Sequence, residues 1–342
     1  MDNKAINKQI RSISNRSSLL LLIFLVITTS VNCFIVRMSE TGSDGSLWRN
    51  NTFLSLFREF GLCLVVYPLI LLVYYKLLNR QNGLKLKDVF AKSQRSKRWL
   101  LKWAVIAIGL DFLVSKIFRL AVGRLYTGNK DLFSSGEKVY SSNTLLAWIV
   151  YAVSLLIIAP VFEELFFRAT VFRNNEPVGQ MLAAVITGVT FGIWHINLNQ
   201  ITGAAVIGVF LCLIFAKTRS IKDVMLIHGV TNLIVFLFEF TRLQFRDMSS
   251  SSDKMFMVHA MFHKHPVFSS VLSLLQILLC FLFIASPILL IIEIIKKRKD
   301  FGINKGEFPY SAAKKAVVYL TAPLTIIMYA AIIALIAIRI LK

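Results

Sequence analysis

Two adjacent carboxylates and an arginine interrupt the apolar run Ala159–Phe172, APVFEELFFRATVF. On a helix, residues four apart share a face while adjacent residues point about 100° apart. Glu164 is therefore expected to pair with Arg168, and Glu163 to point elsewhere. Charges near a hydrocarbon core are costly to desolvate, so their presence there is a functional signal by default. One carboxylate is clamped by its counter-ion. The other is available as a base that takes a proton from water.

Two further segments place histidine in apolar surroundings. VTFGIWHINL stacks Phe191 and His195 four apart, and VMLIHGVTNL stacks His228 and Asn232 in the same way. A lone intramembrane histidine usually serves packing or hydrogen bonding. Two of them with a glutamate pair and an asparagine point instead to a site. His195 and His228 could hold and polarise water for Glu163, and Asn232 adds a neutral amide donor on the face of His228. Glu163, His195 and His228 could alternatively complete a three-ligand zinc site with one open position. No HExxH is present, so such ligands would have to converge from three helices. Direct glutamate catalysis with no cofactor is the expectation, with zinc as the alternative. His259, His263 and His265 in HAMFHKH have metal-compatible spacing, but a solvated loop is the simpler reading.

The elements that must position these groups are membrane helices. The chain has 342 residues, 56% of them hydrophobic, with a mean hydropathy of +0.67. Apolar windows long enough to span a bilayer recur, at about 18–36, 60–78, 99–122, 144–173, 178–196, 201–216, 224–240, 267–295 and 316–340. The fold class is all-α: a polytopic membrane protein of about nine transmembrane helices around a four-helix catalytic core. No secretory cleavage pattern follows the first span, which is expected to remain uncleaved. The expected regions are an N-terminal three-span region (1–140), a core (141–241) and a C-terminal two-span region (242–342). Asp111 with Lys102 or Lys116 in the third segment is expected to form an internal pair.

The net charge of +21 would suggest nucleic acid in a soluble protein. Here the basic residues lie between apolar segments, where they orient the chain and meet anionic headgroups, so no nucleic-acid partner is expected. Their distribution places the N-terminus and the connectors near Lys92, Lys222 and Lys299 in the cytoplasm of a cell-membrane protein, and the loop near Asp253 outside. Cys33, Cys63, Cys212 and Cys280 fit neither a zinc nor a disulfide pattern and are expected to be small buried hydrophobes.

EExxxR at Glu163–Arg168, FxxxH at Phe191–His195 and HxxxN at His228–Asn232 occur in that order on successive spans. Together they resemble the CAAX protease and bacteriocin-processing (CPBP, Abi) family of intramembrane endopeptidases. The resemblance covers about 144–240. It implies hydrolysis of a peptide bond in a membrane-associated peptide or protein near the cytoplasmic face. Glu163, His195, His228 and Asn232 would act in catalysis, with Glu164, Arg168 and Phe191 supporting them. The competing implication is a non-enzymatic scaffold or immunity factor acting on a membrane signalling partner such as a sensor kinase. A transporter would be expected to carry internal repeats, and none is visible.

Overall fold

The N-terminal helix shows how the sequence builds this molecule. Ile6, Ile10, Ile13, Ser17, Leu21 and Phe24 recur at intervals of three and four and are all buried, so one stripe of α1 (Asn3–Thr41) faces the bundle. In the computed structural model the described residues are 2–43, 65–78, 85–125, 145–244, 262–296 and 303–341, with isolated positions between 46 and 61. Among them the chain is helical, without strands. After α1 come α2 (Tyr67–Val73, running into a π-helical turn Tyr74–Leu78) and α3 (Lys97–Leu125). The core comprises the composite helix α4, detailed below, then α5 (Gln180–Trp194), α6 (Leu198–Thr218) and α7 (Ile221–Gln244). Last are α8 (Pro266–Lys296), α9 (Ala312–Leu320) and α10 (Pro323–Leu341).

The protein is an all-α polytopic membrane protein, but nine full spans are not what the described residues contain. Five helices are long and apolar enough to cross a membrane, or six if the bent pair α9–α10 counts as one. The shortfall has identifiable causes. The α3 helix carries Lys102, Asp111, Lys116 and Arg119 along its length. The α5 helix has only 15 residues, about 22 Å at 1.5 Å per residue, against a hydrocarbon core of about 30 Å. The α9–α10 pair bends by 74° where Pro323 opens the second helix. Of the second expected span, only part lies among the described residues.

The α4 helix is not one regular helix. It runs as Leu145–Val153, a π turn Ser154–Ile158, an α segment Ala159–Phe166, a second π turn Phe167–Phe172, and Arg173–Asn175. Single-turn π insertions inside α-helices occur frequently at functional sites. Beside it, α5 and α6 approach through small residues. A Cβ on Gly188 would lie 2.4 Å from the Val209 backbone nitrogen, and one on Gly192 would lie 2.4 Å from the Ile201 carbonyl oxygen. Backbones this close are a recurrent way for membrane helices to gain packing energy.

The expected lysine partners of Asp111 are not what it meets. Lys102 reaches across to Glu293 of α8 at 2.6 Å. Asp111 is buried against Gly203 of α6 and has Ser115 Oγ at 3.5 Å. Of the cysteines, Cys212 is buried as expected, whereas Cys33 and Cys280 are exposed on the outside of the bundle. Their helices present a lipid-compatible face there, so an apolar neighbourhood in sequence did not mean an interior one. Cys63, His259, Asp253 and Lys299 lie outside the described residues.

The turn after α4 is tied to both ends of the chain. The Asn174 amide donates to the Ile13 carbonyl at 2.9 Å and to Ser17 Oγ at 2.7 Å. Asn175 Oδ1 accepts from Ser17 at 2.9 Å and from Tyr319 at 3.0 Å. A few residues on, Gln180 N donates to the Asn304 carbonyl and Asn304 N returns a bond to Gln180 Oε1.

Candidate active site

The two glutamates occupy the α segment Ala159–Phe166 between the π turns. Glu164 and Arg168 form the expected ion pair, with Oε1 and Nη1 at 3.0 Å and both side chains fully buried. The guanidinium lies over the Phe191 ring, 4.5 Å from its centre, and Nη2 donates to the Gly208 carbonyl at 3.4 Å. Arg168 therefore joins α4 to both α5 and α6.

His228 reaches across from α7 and meets both carboxylates. Its Nδ1 lies 2.7 Å from Glu164 Oε1, and its Nε2 lies 3.8 Å from Glu163 Oε2. An ionised carboxylate only accepts, so the short contact assigns the proton to Nδ1 and leaves Nε2 directed at Glu163. A separation of 3.8 Å is too long for a direct hydrogen bond and suits one bridging water. Glu163 Oε2 has no hydrogen-bond partner among the described residues. The Glu163 side chain keeps 21% of its exposure while Glu164 keeps none, although Oε2 of each is itself buried.

His195 caps the C-terminus of α5. Its Nδ1 lies 2.8 Å from the Phe191 carbonyl. A carbonyl only accepts, so Nδ1 carries the proton and Nε2 is left as the acceptor. The next residue, Ile196, has φ of +49°, a conformation that β-branched side chains rarely adopt and that often marks functional sites. Phe191 ties the two histidines together. His195 meets its ring edge-on at 4.8 Å between centres and His228 does so at 5.9 Å.

Asn232 lies one turn beyond His228 on α7. Its Nδ2 donates to the Leu155 carbonyl of α4 at 2.8 Å, so one of its two N–H groups is already committed to the backbone. Arg168, His195 and His228 thus meet one phenyl ring, His228 also meets both carboxylates, and the Asn232 amide turns toward the helix that carries the glutamates.

Sequence reading missed three features of this site. Glu164 was cast only as the partner of Arg168, yet it also orients His228. Nothing local could show that, because the two residues are 64 positions apart. An aromatic wall from the N-terminal region was also missed. Phe24 of α1 stacks on Trp194 at 5.2 Å and meets Phe166 at 4.9 Å, while Tyr67 of α2 meets Phe162 at 5.5 Å. Third, Tyr151 of α4 hydrogen-bonds Glu239 of α7, beyond Asn232 along the same seam.

Residues 145–234 match the family model described as type II CAAX prenyl endopeptidase Rce1-like. This match agrees with the resemblance of the three motifs to the CAAX protease and bacteriocin-processing family. Three bacterial proteins show how far the CPBP likeness extends. UPF0177 protein YaiH of Lactococcus lactis subsp. lactis (strain IL1403) is 28% identical over 115 residues, 32% of this chain and 48% of that protein. UPF0177 protein YbdI of the same strain is 24% identical over 141 residues, covering 41% of this chain and 75% of that protein. The Bacillus subtilis (strain 168) protein named "Putative membrane peptidase YdiL" is 26% identical over 142 residues, 39% of this chain and 58% of that protein. The chain thus spans about half the length of the first of these relatives. No solved structure matches it. Every residue of the candidate site lies inside the matched segment, whereas the aromatic wall of α1 and α2 does not.

The zinc alternative calls for Glu163, His195 and His228 as ligands. Among the described residues no three His, Cys, Asp or Glu side chains are grouped so as to hold a metal ion. The carboxylate nearest His228 is already engaged by Arg168.

Proposed function

We propose that the chain is an intramembrane endopeptidase in which Glu163 activates water against a peptide bond of a membrane-associated substrate. The observation that carries this reading is the position of His228 between a buried, paired Glu164 at 2.7 Å and a partly open Glu163 at 3.8 Å. A water between Nε2 and Glu163 would donate to both and present a lone pair to the scissile carbonyl. Glu163 takes one proton as the oxygen adds to the carbonyl carbon, then delivers it to the amide nitrogen as the C–N bond breaks. The products are one carboxylic acid and one amine, and the carboxylate of Glu163 is regenerated. His195, held against the same phenyl ring, is the second group that polarises the water.

The family supports the protease class, and the buried charges support a cut made within or beside the bilayer. By the distribution of basic residues, the cut is near the cytoplasmic face of the cell membrane. The test uses purified protein in lipid vesicles with a panel of membrane-anchored peptides, read by mass spectrometry. Wild type should produce defined fragments, and Glu163→Gln, which keeps the shape but removes the base, should produce none while remaining folded. Cleavage at the wild-type rate by Glu163→Gln would refute the assignment. Activity should also persist after rigorous chelation, and a loss restored specifically by zinc would replace the mechanism with a metal-dependent one. A wild-type protein that cleaves no peptide in the panel would favour the scaffold reading.

A further inference from the structure

The first π turn of α4 leaves a carbonyl without a partner in its own helix. The Ala159 N–H, which would bond to Leu155 in a regular α-helix, bonds instead to the Ser154 carbonyl five residues back. The next residue that could serve Leu155 by the same five-residue step is Pro160, which has no N–H. Neither donor that helical geometry offers to the Leu155 oxygen is therefore present. In a hydrocarbon environment an unpaired carbonyl is costly, so a side chain must complete the turn. Asn232 does so from α7, at 2.8 Å. One turn away, Gly229 permits the approach, since a Cβ there would sit 3.4 Å from the Leu156 carbonyl oxygen and 4.0 Å from Pro160 Cγ.

Glu163 begins one turn after the proline. Where the π turn ends therefore sets the rotation and rise of the segment that presents Glu163 to His228. The same α7 helix carries His228 and Asn232, so the Asn232 bond fixes the spacing of the two halves of the site. We propose that Asn232 is a positioning residue: by replacing the donor that Pro160 lacks, its amide holds the π turn that aims Glu163 at His228. The contribution to chemistry runs through the Leu155 carbonyl and does not require contact between Asn232 and substrate. The kinetic part of this inference rests on the protease reading; the structural part does not.

The deciding experiment is a rescue. Asn232→Leu removes the donor at similar volume and should lower kcat about ten- to a hundredfold with KM little changed, the scale expected when a reacting group is displaced. Pro160→Ala restores a backbone N–H within the turn. The double variant Pro160→Ala/Asn232→Leu should then regain activity to within about threefold of Pro160→Ala alone, since the restored N–H can bond to Leu155. A double variant as slow as Asn232→Leu would overturn the proposal and leave Asn232 acting directly on the substrate. The same four proteins are compared by thermal unfolding in a Glu163→Gln background, where catalysis plays no part. Asn232→Leu should melt lower, and Pro160→Ala should remove most of that loss. Additive effects on melting would also overturn the proposal. Rescue of melting with no cleavage by any form would uphold the structural coupling and reject the protease reading instead.

Discussion

At the scale of residues, neighbouring glutamates with the same chemistry are separated by what surrounds them. Glu164 is sealed from solvent between Arg168 and His228, whereas Glu163 retains an open side; each keeps one oxygen without a hydrogen-bond partner among the described residues. Arg168→Leu is accordingly expected to destabilise the protein strongly, by about 3–5 kcal/mol, because it strands a buried carboxylate. The loss would appear as a lower melting temperature in detergent whether or not substrate is present. Glu164→Gln should lower stability and also slow cleavage, since the amide can offer His228 either its oxygen or its nitrogen and no longer fixes the tautomer. Glu163→Gln should abolish cleavage and leave stability unchanged. Thermal melts and turnover measured on all three variants separate these outcomes. The ion pair was legible because it obeys the four-residue spacing of a helix. The partnership with His228 was not, because contacts between distant segments leave no trace in local spacing.

Among the elements, the all-α character was legible from apolar length, whereas the number of full spans and the irregularities inside the helices were not. Nothing in LLIIAPVFEELFFRATVF apart from Pro160 announces two π turns, because a π insertion depends on whether tertiary partners can satisfy the carbonyls it frees. Here those partners come from elsewhere in the fold. Asn232 serves Leu155, and Tyr75 of the α2 extension donates to the Ala169 carbonyl at 2.8 Å. The short α5 is held by close backbone contact with α6, which gives a direct prediction. Gly188→Val should cost about 1–3 kcal/mol from overpacking, since its Cβ would meet backbone atoms that cannot swing aside. It should also reduce turnover, because α5 carries both Phe191 and His195. A melting temperature and kcat equal to wild type would show that the α5–α6 contact is looser than described.

For the whole molecule, one end of the bundle gathers the N-terminus of α1, the turn after α4, the connector before α3 and the connector after α6. Gln94 N bonds to the Thr218 carbonyl and Arg219 pairs with Glu176 at 2.9 Å, so these segments lie together. Lys92, Arg11 and Arg219 should therefore label from one face when replaced singly by cysteine in a background lacking other reactive thiols. Lys264, which precedes α8 after the outward run of α7, should label from the opposite face. The excess of basic residues predicts that the first face is the cytoplasmic one. Labelling of Lys92 and Lys264 from the same side would reject this arrangement. The turn after α4 also bears on how much of the chain constitutes a working unit. Asn174 and Asn175 find their partners in α1 and α9, and Gln180 finds its partner in the strap before α9. A fragment trimmed to 141–241 would carry every motif of the family yet expose these amides and the faces that met Phe24 and Tyr67. Autonomy would be lost although the signature survived. Such a fragment should be degraded or aggregate on expression, and co-expression of the missing pieces should recover it.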